Sequence, residues 1–206
     1  MLLVAAVAGI VLYTSAQVGA GSGFPFPCLQ NEELYYHVHP YLRIVIDGQN
    51  VTIPTAVGIE NPVIEQGLAS GGLNSCFEPL HTHDDSGILH IESNTNTTYT
   101  LGDFFEVWSA TYHTVSIDGV AHPIVFNQTD ILGFKADGSH QVVLLVNGKP
   151  SNAYGALSLV QLDYCNSANA QAPPCYPTAP GGPQYGSGGY PYPTGNTIVI
   201  EYSSST

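Results

Sequence analysis

Residues 34–54 read LYYHVHPYLRIVIDGQNVTIP. Leu34, Tyr36, Val38, Leu42, Ile44 and Ile46 share one parity; Tyr35, His37, His39, Tyr41 and Arg43 share the other. Side chains alternate between the two faces of a strand, so this pattern predicts one half-buried strand over 34–46. Asp47-Gly48 is a hairpin turn signal, and Asn50 to Pro54 starts the return strand. Working outward, Gly87 to Ser93 alternates again, with Leu89 and Ile91 inward and His90 and Glu92 on the opposite face. Thr100 or Gly102 can start a short helix whose Leu101, Phe104, Phe105 and Trp108 fall at helical spacing. Gln141 to Val146 is a β-rich run ending in the Asn147-Gly148 turn, and Leu157–Leu162 and Thr197–Tyr202 read as two more strands. The expected fold class is mainly β (α+β): an antiparallel β-grasp-like or small sandwich domain over 28–206, with one short helix.

Composition narrows the function. The chain has 206 residues, 44% hydrophobic, which is enough for a packed core. Only 9% are charged, and the formal net charge is −13, from 16 acids against Arg43, Lys135 and Lys149. Phosphate backbones are bound by clustered Lys and Arg, so this balance nearly excludes nucleic acid, and no nucleic-acid partner is expected. A polybasic membrane patch is disfavoured for the same reason.

Two segments differ from the rest. Residues 1–17 read MLLVAAVAGIVLYTSAQ, and no charged residue precedes Glu32. An apolar run ending in small residues suits a secretory signal, although the basic segment that should precede it is missing. About 20 helical residues also suffice for a membrane anchor. The run further resembles the mature N-terminal helix of archaeal type IV pilins, which bundles in the filament centre, so an N-terminal apolar helix is expected over 1–21. The second segment, Pro173–Gly195, holds seven Pro, six Gly and four Tyr in 23 residues. It is either a low-complexity loop or an extended arm whose tyrosines pack on a partner.

Three N-glycosylation acceptors, at Asn50, Asn96 and Asn127, fit an exported chain. Export suits disulfides. Cys165 and Cys175 flank a Pro-rich turn, so a local bridge is the simplest pairing, leaving Cys28 to pair with Cys76. No C-x-x-C spacing is present, which argues against a structural zinc site on cysteine.

The chemistry lies in two pairs, His37-x-His39 and His81-x-His83, with Asp84, Asp85, His90 and Glu92 nearby. On a strand, residues two apart project to one face, so each pair can grip one ion. Two pairs on neighbouring strands would give a four-nitrogen site suited to Cu(II), Zn or Ni. His90 and Glu92 could complete the shell or orient a ligand ring. The competing reading is structural: His81 and His83 would fix a turn with Asp84, Asp85 and Ser86. His113, His122 and His140 stand alone and read as surface residues. No nucleophile elbow and no phosphate-binding loop is present, and a metallohydrolase with Glu92 or Asp84 as base has no feature that fixes the role. The expected answer to enzyme activity is no.

His37 to Pro54, CFEPLHTHDDSGILHIE (76–92), YTLGDFFEVW (99–108) and VNGK (146–149) together resemble a family of extracytoplasmic domains of archaea and bacteria, usually carried behind a membrane anchor. The likeness spans about 28–160 and resumes near Asn196–Tyr202, with 161–195 as an insertion. The resemblance implies no particular reaction. The leading expectation is therefore an extracellular pilus-like filament subunit, a homopolymer assembled through the apolar helix, with a cell-surface β domain able to bind metal. The runner-up is a membrane-anchored extracytoplasmic Cu/Zn-binding module.

Overall fold

The computed structural model describes residues 23–30, 36–164 and 196–205. The expected helix over 1–21, most of the 161–195 insertion and the Cys165–Cys175 bridge lie outside the described residues.

Along the chain come strands β1 (Tyr36–Val38), β2 (Tyr41–Ile46), β3 (Gln49–Val51), β4 (Ile59–Glu65), β5 (Leu68–Phe77), β6 (Leu80–His81) and β7 (His90–Ser93). Helix α1 (Leu101–Tyr112) follows. After it run β8 (Thr114–Ile117), β9 (Val120–Pro123), β10 (Phe126–Asn127), β11 (Asp130–Ile131), β12 (Phe134–Lys135), β13 (His140–Val146), β14 (Lys149–Pro150) and β15 (Thr197–Ser204). The described chain is mainly β, with antiparallel pairings throughout except one. The exception is at the centre of the largest sheet, ordered β14-β13-β15-β2-β3, where β15 runs parallel to β2.

Helix α1 is defined by its start. Thr100 is the N-cap: its hydroxyl accepts from Asp103 N–H, and the Asp103 carboxylate accepts from Thr100 N–H at 2.8 Å. That capping box satisfies two amides the first turn would otherwise leave open. The helix buries Leu101, Phe104, Phe105, Val107 and Trp108 in one cluster with Leu42, Ile44, Leu144, Ile198 and Ile200 of the large sheet. At roughly 2 kcal/mol for each large apolar side chain, that face contributes on the order of 10 kcal/mol before entropy is set against it. Among the described residues, no helix is long and apolar enough to cross a membrane.

Two expectations need correction, and one element was not foreseen. The strand predicted over 34–46 is two strands, β1 and β2, in different sheets: β1 pairs with β7, whereas β2 joins β15 and β3. Pro40 stands between them, and its missing N–H and fixed φ interrupt a ladder. Leu34 and Tyr35 lie outside the described residues. The strand predicted over Leu157–Leu162 is absent. Ser158 makes a single bridge to Thr100, and Leu162 N–H turns back to the Leu159 carbonyl at 2.9 Å. Finally, β4 and β5 form a long hairpin the apolar pattern does not announce. Much of it is exposed, including Ile64 and Leu73, the latter 92% accessible. The turns fared better. Asp47-Gly48 and Asn147-Gly148 both take positive φ at each residue, as tight hairpin turns require.

The Cys28–Cys76 disulfide is present, across 48 residues of sequence. Next to it Leu29 and Phe77 exchange both backbone hydrogen bonds, at 2.8 and 2.7 Å. On a chain-entropy account, a loop of that length is worth about 4 kcal/mol.

Candidate metal centre

The small sheet β1-β7-β6 assembles the site by register alone. His81 of β6 stands opposite His90 of β7, and His37 of β1 stands opposite Glu92. Directly opposed residues share a face, and so do His90 and Glu92, two apart on one strand. All four side chains therefore emerge on the same side. The other side carries Leu80 and Ile91, both fully buried. His39 and His83 follow their partners by two residues, just past the ends of β1 and β6. The two histidine pairs are thus not on neighbouring strands, as the sequence suggested. β7 lies between them and supplies its own two donors to the centre.

The rings are closely packed. Centroids lie 4.4 Å apart for His83 and His90, 4.5 Å for His39 and His90, 4.8 Å for His37 and His39, and 4.9 Å for His81 and His83. Glu92 Oε1 is 3.0 Å from His90 Nδ1, 3.3 Å from His37 Nε2 and 4.0 Å from His81 Nε2. Exposure falls across the cluster. The side chain of His37 is 45% accessible, that of His90 20%, and those of Glu92 and His81 2% and 0%. Glu92 lies on the face opposite Ile91, as the alternation predicts, and is buried there among His37, His81 and His90.

The backbone sets the tautomers. His81 Nδ1 lies 2.9 Å from the Glu78 carbonyl, and His83 Nδ1 2.7 Å from the Ala69 carbonyl. A carbonyl only accepts, so both Nδ1 atoms carry the proton and donate it. The two Nε2 atoms face each other at 3.2 Å. In the tautomer so fixed, both Nε2 atoms are acceptors.

Thr82, fully buried between the two histidines, holds them in place. Its hydroxyl donates to the Pro54 carbonyl at 2.8 Å and accepts from Val57 N–H at 3.1 Å, while its backbone bonds Ala56 and Val57. Gly87 takes positive φ, and its carbonyl accepts from Leu42 N–H at 2.8 Å, tying the following loop to β2. An added Cβ there would meet the Leu42 carbonyl. The turn-forming role expected of Asp84 and Ser86 is also present: Asp84 Oδ1 accepts from Ser86 N–H, and the Ser86 hydroxyl accepts from Ile88 N–H. The two readings of the H-T-H-D-D-S segment are therefore compatible. Asp85 is exposed.

Burial opposes charge on the rings. It lowers His39 to about 4, helped by the neighbouring His37 and His83. It lowers His81 to about 3, with His83 adding and the bond to the Glu78 carbonyl opposing. His90 is held well below its ordinary value by burial and by the surrounding rings. These are the conditions a metal needs: imidazoles kept neutral, with orienting hydrogen bonds on the far nitrogen. Burial also raises the Asp84 carboxyl.

Other candidate residues lie apart. Asn50, Asn96 and Asn127 are exposed. His113 is exposed, but His122 stacks on Phe134 at 4.7 Å and His140 on Tyr202 at 5.1 Å, so these two are half-covered rather than simply solvated. Cys28, Glu60 and Cys76 also cluster, yet both sulfurs are in the disulfide and offer no thiolate. Sequence reasoning missed Glu78, which is fully buried just before β6. Comparison of the chain with family models, curated proteins and solved structures finds no match.

Proposed function

We propose that this chain is the transition-metal-binding β domain of an exported surface protein, with His81, His83, His90 and Glu92 holding a divalent ion. One observation carries the reading: the two Nε2 atoms at 3.2 Å, on rings whose Nδ1 atoms both donate to backbone carbonyls. Two acceptors so close repel unless a cation lies between them. An ion about 2.0–2.1 Å from each nitrogen, at a tetrahedral angle, sets them about 3.3 Å apart. An imidazole-rich set with one carboxylate suits Zn, Cu(II) or Ni. The donor atoms of this group all lie within 4.8 Å of one another.

The test is metal content. After loading with Zn(II) and exhaustive dialysis, the full chain should retain ion by elemental analysis, and His81→Ala and His83→Ala should each lose the tightly held equivalent. A wild-type chain that retains nothing, or two variants that retain as much as wild type, would overturn the reading. We assign the centre to binding, because its imidazole-rich donor set is that of a metal site. The strand order β3-β2-β15-β13-β14, with parallel central strands and the helix between the two hairpins, supports the β-grasp-like reading over the sandwich.

A second reading concerns assembly. The uncharged apolar run at 1–20, the export signals and the Tyr/Pro/Gly-rich insertion support a pilus-like homopolymer at the cell surface, with a membrane anchor as the alternative. Burying one side of such a helix removes several hundred Å² from water, on the order of 10 kcal/mol before entropy at ~25 cal/mol per Å². Deleting residues 1–20 should leave a soluble monomer by light scattering and electron microscopy. Polymerisation of the truncated chain would exclude the helix-core version.

A further inference from the structure

We infer that the centre takes two ions, with Glu92 shared between a buried site on His81, His83 and His90 and a more open one on His37 and His39. This rests on the metal-binding reading above and extends it to a second ion. The argument starts from the donor count. Five imidazoles and one carboxylate converge here, more than one tetrahedral ion uses.

The donors divide into two sets that have only Glu92 in common: His81, His83, His90 and Glu92, and His37, His39 and Glu92. Within each set the ligand atoms lie within 4.8 Å of one another. The topology explains the division. β7 runs between β6 and β1, so one pair of imidazoles reaches Glu92 from each side. β1 and β6 are two strand spacings apart, roughly 9.6 Å between backbones, and the two sets meet over β7, where the His39 and His90 ring centroids are 4.5 Å apart.

Two-metal sites hold their ions about 3.5–4 Å apart, close enough for one carboxylate oxygen to touch both. Glu92 Oε1 is placed for that role, 3.3 Å from His37 Nε2 on one side and 4.0 Å from His81 Nε2 on the other. The sites differ in character. The first has three imidazoles, one of them fully buried and two fixed by backbone carbonyls. The second has two imidazoles, and His37 is 45% exposed. A three-donor site open to water keeps a coordination position for solvent or an incoming ligand. The buried ion is held; the outer one exchanges.

Cu(II) and Co(II) report this directly on the full chain. Titration should saturate at two ions per chain, the second bound at least tenfold more weakly than the first. The first equivalent of Cu(II) should give an isolated paramagnetic signal, and the second should broaden or diminish it through coupling across the shared carboxylate. His37→Ala, at an exposed position the fold tolerates, and His37→Ala with His39→Ala should each leave one tight ion with an uncoupled signal. Saturation of wild type at one ion overturns the inference while leaving the buried site intact, as does a double variant that still binds two. A wild-type chain that binds none removes the metal reading itself.

Discussion

At the scale of single residues, the buried acid beside the centre is the sharpest probe. Glu78 is fully buried, and its Oε2 accepts the Phe26 N–H at 3.2 Å. Its Oε1 has no hydrogen-bond partner among the described residues. Burial pushes the carboxyl up to about 8; the Phe26 amide opposes this and Glu60 adds to it. The folded protein therefore keeps a proton that the unfolded chain releases above the ordinary value of 4.5. The contribution is present in full below that value and is lost as pH rises toward 8. Glu78→Gln should match wild type near pH 5 and be more stable at pH 9, by roughly a few kcal/mol. Urea denaturation of the metal-free protein at the two pH values measures this, and equal stabilities at pH 9 would mean the carboxyl finds a partner when ionised. Nothing in the sequence pattern marked Glu78. A charged letter before Pro79 reads as a loop residue, and its burial depends on long-range neighbours such as Phe26 and the 58–60 segment.

At the scale of elements, local chemistry was legible and partner choice was not. The start of α1 follows from Thr100 and Asp103, three residues apart, and the hairpin turns follow from Asp-Gly and Asn-Gly. Each of these is decided within four residues. Thr100→Ala should accordingly cost about 1 kcal/mol, by removing the acceptor for Asp103 N–H while leaving the fold intact. Chemical denaturation checks it, and a loss above about 3 kcal/mol would mean Thr100 acts through more than the cap. By contrast, period-two alternation runs unbroken across Pro40 in the sequence, because side-chain parity says nothing about which sheet a strand joins. The β4–β5 hairpin escaped notice because most of its residues are exposed and its buried ones, Ile59, Ala69 and Ser75 to Phe77, do not alternate along a strand. The histidine pairs were visible as period-two doublets. That β7 would lie between them, carrying His90 and Glu92, depends on pairing registers set by the whole domain.

At the scale of the whole molecule, the centre joins parts of the chain that local forces do not hold together. Its donors come from 37–39, 81–83 and 90–92, and its orienting carbonyls from residues 69 and 78. An ion bound only by the folded chain stabilises it by mass action, about 4 kcal/mol when the free ion is 1,000-fold above its dissociation constant. For a chain of this size that is roughly 10 °C in Tm. The direction of the pH effect follows from the buried rings. Burial lowers His81 to about 3 and holds His90 well below its ordinary value, so protons compete little with the ion for these two rings of the buried site at pH 5, and His39 of the outer site is lowered to about 4. Their lowered values also mean that the unfolded chain takes up protons the folded one refuses. The metal-free protein therefore loses stability as pH falls below 6.5. Calorimetry with Zn(II) and with chelator should give a Tm difference near 10 °C at pH 7 that persists at pH 5, while the chelated baseline drops between the two. A gap that closes by pH 6 would show that the ligand histidines titrate like exposed ones, and that the burial of this centre does not serve to keep them ready for an ion.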